Sequence, residues 1–283
     1  MSRWLFEFFE GTLRLVAEDS LAPRTLVADS WRVSDGTVVG LDLHEQRFSR
    51  SVAENTSLPA HIVADFLHAV RGSLPRQGEW FPRVEAIWHE RGPQLRYHQR
   101  SAPPWSSQVI VARAPHDPRK TPQVKGPDLE ALLKLRDHVA PLGAGEALIV
   151  DSEDALSEGA YSTVMVWPLG GEQLHIVHHS GRLPSITERL LISLATKQGI
   201  PAVERTIPVS ALEGSEVWIV SALHGIRQAM AFVDGPPLAT GTGRRDVWQA
   251  RWRALATHLD APAQQGSRQQ TRQILGQSSR ANE

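Results

Sequence analysis

The sequence predicts a mixed α/β chain built in two halves. Three observations carry this. Short β-prone runs and an amphipathic helix share the first hundred residues, strands and helices alternate from Leu129 onward, and six prolines crowd residues 101–127. Proline at that density suits an extended connector better than the interior of an element. The expected organisation is an N-terminal α/β domain over 1–113, a connector over 114–123, and a C-terminal α/β domain over 124–260. Residues 261–283 are Gln-, Ser- and Arg-rich with few apolar side chains, the composition of a disordered tail.

Asp35-Gly36 separates two β-prone runs, Asp29–Val33 and Thr37–Val39, and signals a hairpin. His44–Val52 reads as helical. Pro59–Val70 does too, because Ile62, Phe66 and Val70 recur on one face and Gly72 lies past the end. Arg83–Glu90, Gln94–Arg100 and Ser107–Arg113 read as strands. In the second half, helices are expected at Leu129–Val139, Ser185–Gln198 (closed by Gly199) and Arg244–Leu259. Strands are expected at Ala147–Asp151, Ser162–Trp167, Gln173–His178, Glu216–Val220 and Arg227–Val233.

Of 283 residues, 41% are apolar and 22% charged, with a formal net charge of −1. That balance supports a sizeable core and offers no basic field for nucleic acid or anionic lipid. The chain has no cysteine, which removes disulfides, thiolate metal sites and cysteine nucleophiles. No apolar window is long enough for a membrane span, and the apolar N-terminus is broken by Glu7 and Glu10, so a cytoplasmic protein is expected. His175, His178 and His179 cluster without a carboxylate or cysteine to complete a motif, and no metal is expected there.

Four local features could carry chemistry. There are only four lysines, and every other basic residue is arginine. Lys125 stands in Val124-Lys125-Gly126-Pro127-Asp128, between the connector and a helix start, held by stiff backbone on both sides. Ser185-Ile186-Thr187-Glu188 has the capping-box pattern; it reads as a helix cap, and also as a cradle of free N–H groups for an anion. Glu158-Gly159-Ala160 places a carboxylate beside two tiny residues, as an ordinary turn does or as the edge of a flat ring would require. His44-Glu45-Gln46-Arg47-Phe48 offers an arginine able to grip a phosphate bidentately, or a surface arginine.

Taken in order, these features resemble the class IV aminotransferases, the fold-type IV pyridoxal phosphate enzymes that include branched-chain and D-amino-acid aminotransferases and aminodeoxychorismate lyases. The likeness runs from Val27 to Val233 and is strongest over Lys125–Val166 and Leu183–Val233. It implies a two-domain α/β subunit with pyridoxal 5′-phosphate in the interdomain cleft, usually a homodimer. It further implies that Lys125 is the Schiff-base lysine and general base and that Arg47, three residues after His44, contacts the cofactor phosphate. By the same likeness Glu158 faces the pyridine nitrogen. Leu183-Pro184-Ser185-Ile186-Thr187 corresponds to one phosphate loop, through Ile186 and Thr187. Ser221-Ala222-Leu223-His224-Gly225-Ile226 corresponds to the other, through Ser221 and Ala222. Substrate contacts are expected from Trp31, Arg100 and His224.

The sequence departs from the family pattern near the substrate. The Phe-Glu-x-x-Arg-Val segment reads Ala28-Asp29-Ser30-Trp31-Arg32-Val33, Glu188 replaces an arginine, Ala222 replaces a hydroxyl residue, and Gln228 replaces a proline. Three readings follow: amino transfer between an amino acid and a 2-oxo acid, lyase action on aminodeoxychorismate, for which Ser30 speaks, or a catalytically idle relative that only binds.

Overall fold

Asp35 and Gly36 both take left-handed backbone, with φ of 44° and 72°, and close the hairpin that the Asp-Gly pair predicts. The computed structural model describes residues 3–17, 23–90 and 92–259; the tail expected over 261–283 lies outside them.

The first half contains β1 (Arg3–Phe9), β2 (Thr12–Val16), β3 (Arg24–Ser30), β4 (Val33–Ser34), β5 (Thr37–Val39), α1 (Leu41–Asn55) and α2 (Ala60–Ser73). It continues through β6 (Glu79–Trp80), β7 (Arg83–His89) and β8 (Gly92–Arg100). After these come β9 (Gln108–Arg113), α3 (Leu129–Val139), β10 (Glu146–Val150), β11 (Leu156–Gly159), β12 (Thr163–Trp167), β13 (Leu174–Val177) and α4 (Ile186–Lys197). The described chain ends with β14 (Ala202–Arg205), β15 (Glu216–Ser221), β16 (Gly225–Val233), α5 (Arg244–Arg253) and β17 (Ala256–His258).

Among the described residues these strands form three sheets: β2-β1-β8-β7-β3, an eight-stranded sheet β11-β10-β9-β16-β15-β12-β13-β14, and a small β17-β5-β4-β6 sheet. The sheets correct the sequence reading twice. Strand β9 was expected in the N-terminal half, but it runs parallel between β10 and β16, so the second sheet begins at Gln108. The helix expected to reach Leu259 stops at Arg253, because β17 pairs antiparallel with β5 of the first half. Gly72, expected past the end of α2, lies inside it, and the helix runs on to Ser73.

The described residues hold one hydrophobic cluster in the first half and three in the second. The first joins Val27, Phe48, Phe66, Val84 and Tyr97 between the five-stranded sheet and helices α1 and α2. In the second half, Trp167, Trp218 and Trp248 meet in a triangle, each pair of ring centroids 5.6 Å apart and tilted edge to face. This cluster packs with residues of α4 and α5 toward the Glu216 end of β15, while the Ser221–Gly225 turn leaves the strand's other end.

Candidate active site

A cleft of about 500 Å³ lies between the halves. Lys125 lines it, and the backbone around the lysine explains why. The Ala28 N–H donates to the Lys125 carbonyl at 2.6 Å, so the lysine's segment is bonded to β3. Gly126 follows with φ of 136°, and a Cβ there would stand 2.7 Å from the Ala28 nitrogen. Only glycine permits that approach. Asp128 opens α3 without capping it. Its carboxylate instead accepts the N–H groups of Lys120 and Thr121, at 3.1 and 2.8 Å, and so folds the connector back beside the lysine. Burial, helped by repulsion from Arg47, pulls the Lys125 amine down to about 8, against the pull of Asp29 and Glu158.

Glu158, near the end of β11, lines the same cleft and is buried. Burial pushes its carboxyl up to about 7, although Arg119 and the Leu183 N–H both favour the ionised form. Arg119 pairs directly with Glu158, donates to the Ser157 hydroxyl at 3.1 Å, and binds Asp117 in bidentate fashion. The sequence reading missed Arg119. It sits in the proline-rich connector among many other arginines, and nothing local marks it.

Arg47 projects from α1 into the cleft. Its Nε and Nη2 grip the Asp29 carboxylate at 2.8 and 2.7 Å, and Nη1 donates to the Pro184 carbonyl at 2.9 Å. The His44 Nδ1 lies 2.9 Å from the same carboxylate. Burial would raise the Asp29 carboxyl, but Arg47 and His44 outweigh it and hold it well below the usual range. Asp29, recorded in the sequence only as a departure, thus orients the arginine. Opposite, α4 opens on Ser185, whose hydroxyl accepts the Glu188 N–H at 3.3 Å and whose carbonyl accepts that of Arg189. The Ile186 and Thr187 N–H groups are left without an acceptor among the described residues, and both residues line the cleft. The reciprocal half of the capping box does not form, because the Glu188 carboxylate binds Arg182.

The turn after β15 brings Ser221, Ala222, Leu223 and His224 to the cleft. The His224 N–H donates to the Ser221 hydroxyl at 3.3 Å, and its Nδ1 accepts the Ser106 N–H. Burial and the nearby Arg227, Arg32 and Arg136 depress His224 to about 4, so it is neutral at ordinary pH. Arg100 also lines the cleft; burial and repulsion from Arg83 and Arg3 bring it down to about 10. Ser162 lines the cleft as well, with a buried hydroxyl that has no partner among the described residues.

Trp31 does not reach the cleft. It is 1% exposed and packs in the N-terminal core, its ring 5.9 Å from that of His44. Side chains alternate along β3: Ala28 and Ser30 face the cleft, while Asp29 and then Trp31 face α1. The histidine cluster is divided, His178 lying beside Glu204 and His179 beside Asp151. Among the described residues no group of three such side chains could hold a metal. No helix among them is long and apolar enough to cross a membrane.

No curated protein matches the sequence. Solved structures match its fold. A hypothetical aminotransferase from Mycobacterium tuberculosis, in the apo form, aligns with TM-score 0.73 at 18% identity, covering 90% of this chain and 98% of that one. A fold IV-transaminase from Curtobacterium pusillum aligns with TM-score 0.70 at 19% identity, covering 89% and 97%. An aminotransferase from Brucella abortus, bound to the cofactor PLP, aligns with TM-score 0.69 at 17% identity, covering 89% and 97%. The model of the amino-transferase class IV family matches residues 26–232, which span every cleft residue described above. The chain therefore belongs to the class IV aminotransferases, enzymes that work with pyridoxal 5′-phosphate.

Proposed function

We propose that this chain transfers an amino group between an amino acid and a 2-oxo acid, with Lys125 as the amine that holds the cofactor. The observation that carries the reading is the convergence on one cleft of a partly deprotonated lysine and a buried carboxylate, with uncapped N–H groups at its rim. The set fits the cofactor's chemistry: an amine for an aldehyde, an acid for a basic ring nitrogen, and donors for a phosphate.

When bound, the cofactor supplies an aldehyde and an electron-accepting ring. The chain's own residues do the rest. Lys125, with its amine near neutrality, takes and returns the proton at the substrate α-carbon. Glu158 holds a proton at the ring nitrogen, and Arg119 keeps the carboxylate oriented. Ile186, Thr187 and the Ser221–Ala222 turn bind the phosphate, with Arg47 fixed by Asp29 behind them. Arg100 is suited to a substrate carboxylate, because its half-buried guanidinium forms no ion pair with a carboxylate among the described residues.

The test is a panel of amino acids added to the yellow, cofactor-loaded protein. A productive donor shifts absorbance from about 410 to about 330 nm as the cofactor takes up the amino group. Lys125→Ala is expected to abolish the shift while circular dichroism stays unchanged. An undiminished response in that variant would overturn the assignment. Ser30, which lines the cleft, keeps the lyase reading open. It requires 4-aminobenzoate and pyruvate from aminodeoxychorismate, and no absorbance shift with amino acids alone.

A further inference from the structure

Behind the Ser221–Gly225 turn lies a second cavity of about 230 Å³. Ala222 lines both this cavity and the main cleft, so the turn is the wall between them. Two guanidinium groups stand over one indole there. The Cζ of Arg32 is 3.8 Å, and that of Arg253 4.2 Å, from the Trp105 ring centroid. Glu79 is the carboxylate beside Arg32, accepting its Nε at 2.7 Å and, on the same oxygen, the Ser34 hydroxyl at 3.0 Å. Arg253 has no carboxylate partner among the described residues. Arg32 spends Nη1 on the Leu223 carbonyl at 3.2 Å, and its Nη2 makes no hydrogen bond among the described residues.

Burial, with a contribution from Arg253, holds Arg32 below its ordinary value even beside Glu79. Trp252 lines the same cavity; it is 3% exposed, yet its indole N–H has no acceptor among the described residues. A position in the last turn of α5 favours a cation at Arg253. That does not account for the paired guanidinium groups over one ring, nor for the orphaned N–H. Buried donors are ordinarily satisfied, and close like charges ordinarily share a counter-ion.

We propose that this cavity binds a small oxyanion, a carboxylate or a phosphate. Arg253 and the free edge of Arg32 supply the charge. The site lies on the far side of the turn from Lys125. Its occupant therefore touches the arginine that holds the Leu223 carbonyl, without entering the main cleft.

The test is calorimetric titration of the cofactor-loaded protein, whose own phosphate position is filled, with inorganic phosphate and separately with acetate. One anion per chain is expected, with a dissociation constant below about 10 mM. Arg253→Gln is expected to weaken it about tenfold, and Glu79→Gln to tighten it by removing the competing carboxylate. The tighter of the two anions identifies the source. Absence of binding by both anions, or unchanged affinity in Arg253→Gln, overturns the proposal. The yellow colour and the amino-acid response do not depend on this cavity, so that failure leaves the amino-transfer reading standing.

Discussion

Lys125 owes its chemistry to what surrounds it rather than to its own type. Its amine is brought to about 8 by burial and by Arg47, so the fraction free to attack an aldehyde grows as pH rises through that value. Below it, each pH unit removes about nine-tenths of the reactive form. Capture of pyridoxal phosphate by the apo protein, followed by absorbance, is therefore expected to speed up about tenfold per unit below the midpoint and to level off above it. A rate that stays flat across the neutral range would contradict this placement of the amine. At this scale a rare residue type on a stiff backbone marked Lys125-Gly126, a segment that the structure brings to the cleft. The sequence was silent at Arg119, one arginine among many, whose meaning comes from Glu158, 39 positions away. It misled at Trp31, because the side to which a strand residue points depends on register, and register is set by the partner strand β7.

Among elements, α3 and α4 match their sequence patterns closely, because local signals bound them: Asp128 ahead of Leu129, and Ser185 and Gly199 on either side of α4. The end of α5 was not legible. Residues 256–258 leave the helix for β5, more than two hundred positions earlier in the chain, and no local signal encodes that pairing. Ser185 offers a test of α4. Its hydroxyl satisfies the Glu188 N–H, so Ser185→Ala is expected to cost the apo protein about 1 kcal/mol. For a chain of this size that is a fall of about 2–4 °C in melting temperature. The released segment also aims the free Ile186 and Thr187 N–H groups, so cofactor affinity should fall with it. A variant that melts and binds like the parent would show that the cap does neither.

For the whole molecule, the sequence division into two halves corresponds to two separate large sheets, but their boundary follows strand pairing rather than proline density. Prolines mark where the chain is extended; they do not say which sheet claims the strand before them, and β9 went to the second. The family resemblance also implies a homodimer. Trp4, Trp88 and Leu133, each at least 40% exposed, provide apolar surface for a partner. Light scattering is expected to give a particle of twice 31.3 kDa, and a single-chain mass would reject the dimer.

Lys125 belongs to the second half by chain order, yet its carbonyl is tied to Ala28 in the five-stranded sheet. Glu158 and the Ser221 turn are carried by the eight-stranded sheet. A molecule anchored to the amine on one side and to the carboxylate on the other would therefore clasp the two sheets together, and the contents of the cleft would become part of the framework.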